Sequence, residues 1–167
     1  MFPFTRIIII GLIFLLSVAG VSALSISQIT YTVEQDGNGT VDMNYQLNST
    51  EKLQYDLITK VLDLKSIGKK ELEKALKREV QVQSITPESV QLSVYNMATI
   101  DSGTITTPSF TYVPVESLLE PSLYWIIQKF NIDFTPHISK VVFPDGYSES
   151  FTDAETIPVI VHQLTST

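Results

Sequence analysis

Between Ile29 and Leu47 the chain alternates with a strict period of two on both sides of a Gly/Asn/Asp cluster. Ile29, Tyr31 and Val33 are interleaved with Thr30, Thr32 and Glu34. After Asp36-Gly-Asn-Gly39 the alternation resumes with Val41, Met43, Tyr45 and Leu47. Successive side chains of a strand point to opposite faces, so this pattern puts one apolar row on a core and one polar row in water, and the cluster supplies the tight turn. The stretch predicts an opening β-hairpin and commits the rest of the chain to covering its apolar row.

What precedes the hairpin sets the compartment. Arg6 followed by the apolar run Ile7 to Val18 and the small-residue site Val21-Ser-Ala23 reads as a secretory signal peptide over residues 1–23. Cleavage after Ala23 leaves residues 24–167 as a single extracytoplasmic domain, secreted or at the cell surface. The competing reading is an N-terminal anchor, because the stretch from Ile7 to Ala23 reaches the lower edge of the roughly 17–25 residues that span a bilayer. No second apolar run follows, so the membrane enters only through that segment. The chain has no cysteine, which excludes a disulfide framework, thiol chemistry, a Cys-held metal and a cysteine lipid anchor.

The net charge is −7 over 167 residues, which disfavours nucleic acid as a partner. The charge is also polarised. Seven basic residues (Lys60, Lys65, Lys69, Lys70, Lys74, Lys77 and Arg78) face only Asp63, Glu71 and Glu73 within the same stretch.

Beyond the hairpin, Asn48-Ser-Thr-Glu51 offers helix caps, and Leu53, Leu57, Ile58, Val61 and Leu62 recur at helical spacing. Gly68 interrupts the pattern and Leu72, Ala75, Leu76 and Val80 resume it, which predicts a helical hairpin. Strands are expected around Val80–Gln83 and over Ser89–Asn96. After a turn at Asp101-Ser-Gly103, another is expected over Thr104–Val113, where Pro108 marks an edge or a bulge because it lacks an N–H donor. Pro121 suits the first turn of a further helix carrying Leu123, Ile126, Ile127 and Phe130. The remainder reads as a meander: Ile138–Phe143, a turn at Pro144-Asp-Gly146, Tyr147–Phe151, and a last strand over Thr156–His162. These elements predict an α+β domain with a mostly antiparallel sheet, the helical hairpin and one further helix packed on one face.

Several constellations could carry chemistry. Asp36, Asn38, Thr40 and Asp42 have the spacing of the front half of an EF-hand calcium loop, with Gly39 at its glycine. Glu34 at the first position, Tyr45 at the twelfth and the period-2 flanks depart from it, so tight-turn chemistry is the preferred reading. Asn38 and Asn48 head glycosylation sequons. Lys69, Lys70, Lys74, Lys77 and Arg78 form a basic face suited to a protein partner or an anionic surface polymer, although interspersed glutamates also fit a solvated helix face. Tyr124 and Trp125, within an aromatic-rich second half, could form a ligand platform, but aromatics at strand and helix spacing more often build a core. His137 and His162 stand at strand ends, with no HExxH pair, GxSxG elbow or phosphate-cradling loop. No catalytic residue, metal or cofactor is assigned.

With the leader in front of it, Asp36-Gly-Asn-Gly-Thr-Val41 resembles small exported prokaryotic domains of unknown function, a resemblance that brings no activity and no functional residue. The expected function is therefore non-enzymatic contact with a protein partner at the cell surface, through the basic helix or the edge strand near Pro108. The alternatives are a carbohydrate-binding module and a small extracellular hydrolase.

Overall fold

The computed structural model describes residues 25–47, 79–111 and 135–165, together with the single positions 49, 52, 65, 66 and 69. The opening hairpin forms as its alternation requires: β1 (Ser25–Val33) pairs antiparallel with β2 (Gly39–Gln46), Tyr31 opposite Val41 and Ile29 opposite Met43. A register shift between Ile26 and Gln28 places a bulge at Ser27. An extra residue resets the alternation, so Ile26 and Ile29, three apart, are both buried.

Around this hairpin grows a six-stranded sheet in the order β3-β4-β2-β1-β8-β9. β3 (Val80–Ile85) and β4 (Ser89–Val94) flank β2, and β8 (Ile138–Val142) and β9 (Ser148–Thr152) flank β1. The β1–β8 pairing is parallel and the other described pairings are antiparallel. One face of the sheet is an apolar row set: Ile29, Tyr31 and Val33 on β1, Val41, Met43 and Tyr45 on β2, Val90, Leu92 and Val94 on β4, and Val141 on β8. The other face carries Thr30, Asp42, Gln91 and Lys140, which share a cross-strand row.

Two small sheets complete the core. β5 (Thr99–Asp101), β6 (Thr104–Thr106) and β11 (Val161–Gln163) form one in the order β11-β6-β5, and β7 (Phe110–Thr111) pairs with β10 (Thr156–Ile157) in the other. They bury Ile105, Phe110, Ile157 and nearby Ile160. Phe110 stacks on Tyr31 with ring centroids 4.3 Å apart, tying the small sheets to the large one. Each such fully buried side chain contributes about 1.5–3 kcal/mol relative to exposure.

The expected α+β class is corrected here. The described residues are 56% strand and 5% helical, and they form several β-sheets with no packed helix among them, so the domain is mostly β. Local helical periodicity is a weak prior beside the strand pairing that organises the core. Ser49, Lys52, Lys65, Ser66 and Lys69 have helical backbone, Val80 opens β3 instead of closing a helix, and the rest of the expected helical hairpin and the helix after Pro121 lie outside the described residues. The leader or anchor over residues 1–23 also lies outside them.

Two expected single strands are each divided. The run from Thr104 breaks at Pro108 into β6 and β7, and the run from Thr156 breaks at Pro158 into β10 and β11. Because the two runs pair with each other, their interruptions coincide. β10 pairs with β7 and β11 with β6. Between them Thr107 N–H donates to the Ile160 carbonyl (2.9 Å) and Ile160 N–H to the Thr107 hydroxyl (3.1 Å), which satisfies a buried threonine where the ladder stops.

Candidate functional site

The sequence cluster Asp36-Gly-Asn-Gly39 is where the two layers lock together. Asp36 accepts hydrogen bonds from the backbone N–H (3.0 Å) and the side-chain amide (2.6 Å) of Asn38, shaping the turn with its own carboxylate. Gly37 has φ +84°, a left-handed conformation that glycine adopts freely. Its carbonyl accepts the Ala98 N–H at 2.9 Å, and the Asn38 carbonyl group of the side chain accepts the Asn96 N–H at 2.9 Å. Gly39 lies against Met97 and the Thr32 carbonyl so closely that a Cβ would overlap both. The turn therefore fixes Asn96, Met97 and Ala98, the linker that carries the chain from β4 in the large sheet to β5 in the small one.

That fixed linker forms one wall of a groove of about 250 Å³, which is lined further by Thr99, Thr106, Thr107, Pro108 and Val159. Thr99 and Thr106 are cross-strand partners, and Val161 sits opposite Thr106 on its other side. Their common row faces away from the core, since the neighbouring row contains buried Ile105. Val159 and Val161 are 49% and 65% exposed beside the groove. None of the described lining residues is ionisable; they offer apolar contact, hydroxyls and an amide.

A second cluster closes the far side of the small sheet. Asp145, in the turn between β8 and β9, lies 2.8 Å from Nε2 of His162 on β11, and its side chain is only 8% exposed. It also accepts from the Thr165 N–H (3.2 Å), the Thr165 hydroxyl (3.1 Å) and the Tyr147 N–H (3.1 Å). These donors, the histidine foremost, hold its carboxyl well below the usual carboxylate range against the opposing effect of burial. An ionised carboxylate only accepts, so the imidazole proton belongs on Nε2. Tyr147 stacks on the imidazole at 4.3 Å and 9°, and Phe143 lies 4.7 Å from it. The Tyr147 hydroxyl donates to Glu149 (2.9 Å), whose acceptance of that bond raises the phenol above its ordinary value. The cluster is a tie between the end of the chain and the β8–β9 turn. Among the described residues it places no hydroxyl nucleophile on the imidazole, since the Thr165 hydroxyl is directed to Asp145.

Asp36 and Asn38 are engaged with one another, while Thr40 and Asp42 continue along β2, two residues apart on the extended strand, so the four do not converge as ligands. Among the described residues no group of three or more acids, histidines or cysteines is close enough to hold a metal ion. Asn38 is half-buried with both amide atoms hydrogen-bonded, whereas Asn48 lies outside the described residues. Lys69 is exposed, and Lys70, Lys74, Lys77, Arg78, Tyr124 and Trp125 lie outside the described residues. His137 forms an exposed pair with Asp153 at 2.8 Å. His162, which its strand-end position made unremarkable, is instead half-buried against Asp145. Neither that pair nor the groove has a sequence signature, because each joins residues from separate strands. No known family, curated protein or solved structure gives a significant match to the chain.

Proposed function

We propose that the chain is an exported or cell-surface β module that acts without catalysis, by docking a segment of another protein on the outer face of its small sheet. The observation that carries this reading is the apolar groove with exposed Val159 in its lining and exposed Val161 next to it, a cavity whose described lining is uncharged. Exposed apolar side chains scattered singly mean little, but two adjoining a concave apolar surface make a recognition patch. Pre-organisation adds to it: the wall from Asn96 to Ala98 is held by Gly37, Asn38 and Gly39, so little ordering cost attends binding. The groove includes Pro108, the position that marked an interaction edge in the sequence. Export rests on the leader pattern Arg6, Ile7–Val18 and Val21-Ser-Ala23.

The hydrolase alternative draws no comparable support. Each described histidine pairs with one carboxylate, His137 with Asp153 and His162 with Asp145, and neither lines the groove.

The test is site-specific photo-crosslinking in cells that produce the full-length chain, with benzoylphenylalanine placed at Val161 and, as a control, at exposed Gln91 on the opposite face of the large sheet. The reading expects a defined adduct from Val161 whose attachment maps by mass spectrometry to an apolar segment of one protein. Equal adducts from both positions, or none from Val161, would contradict it.

A further inference from the structure

Among the described residues the groove stands in mostly acidic surroundings. Segments 25–47, 79–111 and 135–165 together contain ten acidic residues (Glu34, Asp36, Asp42, Glu79, Glu88, Asp101, Asp145, Glu149, Asp153 and Glu155) and one basic residue, Lys140; the other described lysines are Lys52, which pairs with Glu88 at 2.8 Å, Lys65, which donates to the Gln83 carbonyl on β3, and exposed Lys69. Lys140 sits on β8 across from Thr30, in the polar row of the large sheet and away from the groove. Asp101 lies two residues beyond Thr99 on β5 and therefore on the same outward face as Thr99, Thr106 and Val161. Glu34 and Asp36 belong to the turn that holds Asn96 and Ala98. All three carboxylates are exposed, and none has an ion-pair partner among the described residues. Asp101 accepts only the Ser102 hydroxyl at 3.0 Å, and Asp36 only Asn38.

Among the described residues the arrangement combines an uncharged, largely apolar recess with a rim of carboxylates. A rim of this kind has little effect on how well an apolar anchor fits, but it selects which anchors arrive and stay. It attracts positive flanks and makes negative flanks costly. Resting on the docking reading above, we propose that the partner is a cationic peptide segment, an apolar anchor of two or three residues that enters the groove while flanking lysines or arginines meet Asp101, Asp36 and Glu34.

Three fluorescein-labelled peptides sharing one anchor, KKTVLVTKK, SSTVLVTSS and EETVLVTEE, separate the two layers of this statement when the full-length chain in mild detergent is titrated against each by fluorescence anisotropy. The expected order of affinity is lysine-flanked, then serine-flanked, then glutamate-flanked. At about 50 mM salt the extremes should differ by at least about tenfold, and at about 500 mM salt the gap should shrink, since screening shortens the reach of exposed charges. Asp101→Lys should narrow the gap without altering binding of the serine-flanked peptide. Equal binding of all three peptides would overturn the cationic preference and leave the groove as a docking site. Binding of none, or undiminished binding to a Val159→Asp, Val161→Asp double variant, would overturn the docking reading itself.

Discussion

At the scale of single residues, Gly39 has the tightest surroundings of the described glycines. It occupies a strand position where any side chain is conformationally allowed, and what forbids one is space: an added Cβ would meet the Met97 side chain and the backbone oxygen of Thr32, and the latter cannot rotate away. Gly39→Ala should therefore destabilise the fold by about 1–3 kcal/mol, the range for overpacking, read as a lower urea midpoint at unchanged slope. Asp145 gives a second residue-scale expectation. Its folded pKa lies below its unfolded value of 3.8, so its bonds contribute stability that is fully present above that value and lost as pH falls through the folded pKa. The urea midpoint of the native chain should thus fall on acidification below about pH 4. Asp145→Asn should start lower at pH 7 and lose less over the same acid range. Parallel pH profiles for the two proteins would contradict this assignment. Neither effect could be read from the sequence. Gly39 is visible there only as turn chemistry, and Asp145 only as the centre of a Pro-Asp-Gly turn, because their decisive partners, Met97 and His162, are distant in the chain.

At the scale of elements, the period-2 stretches were legible and the breaks were less so. The opening hairpin, the Ser89 strand, the turn at Asp101-Ser-Gly103 and the Ile138–Phe151 hairpin all follow from alternation and turn residues. A strand carries its own signal in this way because its two faces meet different surroundings. The sequence also marked Pro108 as the irregular point of its strand. It did not reveal that Pro158 interrupts the facing strand at the matching place, since that coincidence exists only once the two runs are paired. The helical spacing of Leu53 to Leu62 suggested an α+β class, whereas the described architecture is mostly β. The β5–β6 turn offers a direct test of turn chemistry. Ser102 and Gly103 both have positive φ (49° and 81°), the pattern of a type I′ turn, in which asparagine is preferred at the first position. Ser102→Asn should raise stability by about 0.5 kcal/mol, measured as a higher urea midpoint, because asparagine tolerates the left-handed region better than serine.

At the scale of the whole molecule, the parts form one chain of dependence. The opening turn fixes the linker from Asn96 to Ala98, the linker walls the groove, and the groove with Val159 and Val161 makes an apolar patch near the exposed carboxylates of Glu34, Asp36 and Asp101. The sequence announced the turn but not what it holds, since Asn96 and Ala98 reach it, and Thr99, Pro108 and Val159 converge, only through the pairing of strands distant in the chain. The hairpin whose tip has the spacing of half a calcium loop is a clamp on the linker that walls the groove. Docking of a partner on this face is best probed by two-dimensional amide NMR of the isotopically labelled full-length chain. On titration with KKTVLVTKK, the account predicts saturable shifts concentrated at Asn96–Thr99, Thr106, Thr107, Val159 and Val161, and their loss in Asn38→Ala, which removes the acceptor for Asn96. Shifts centred on β9 or the β8–β9 turn, or an unchanged groove response in Asn38→Ala, would contradict it.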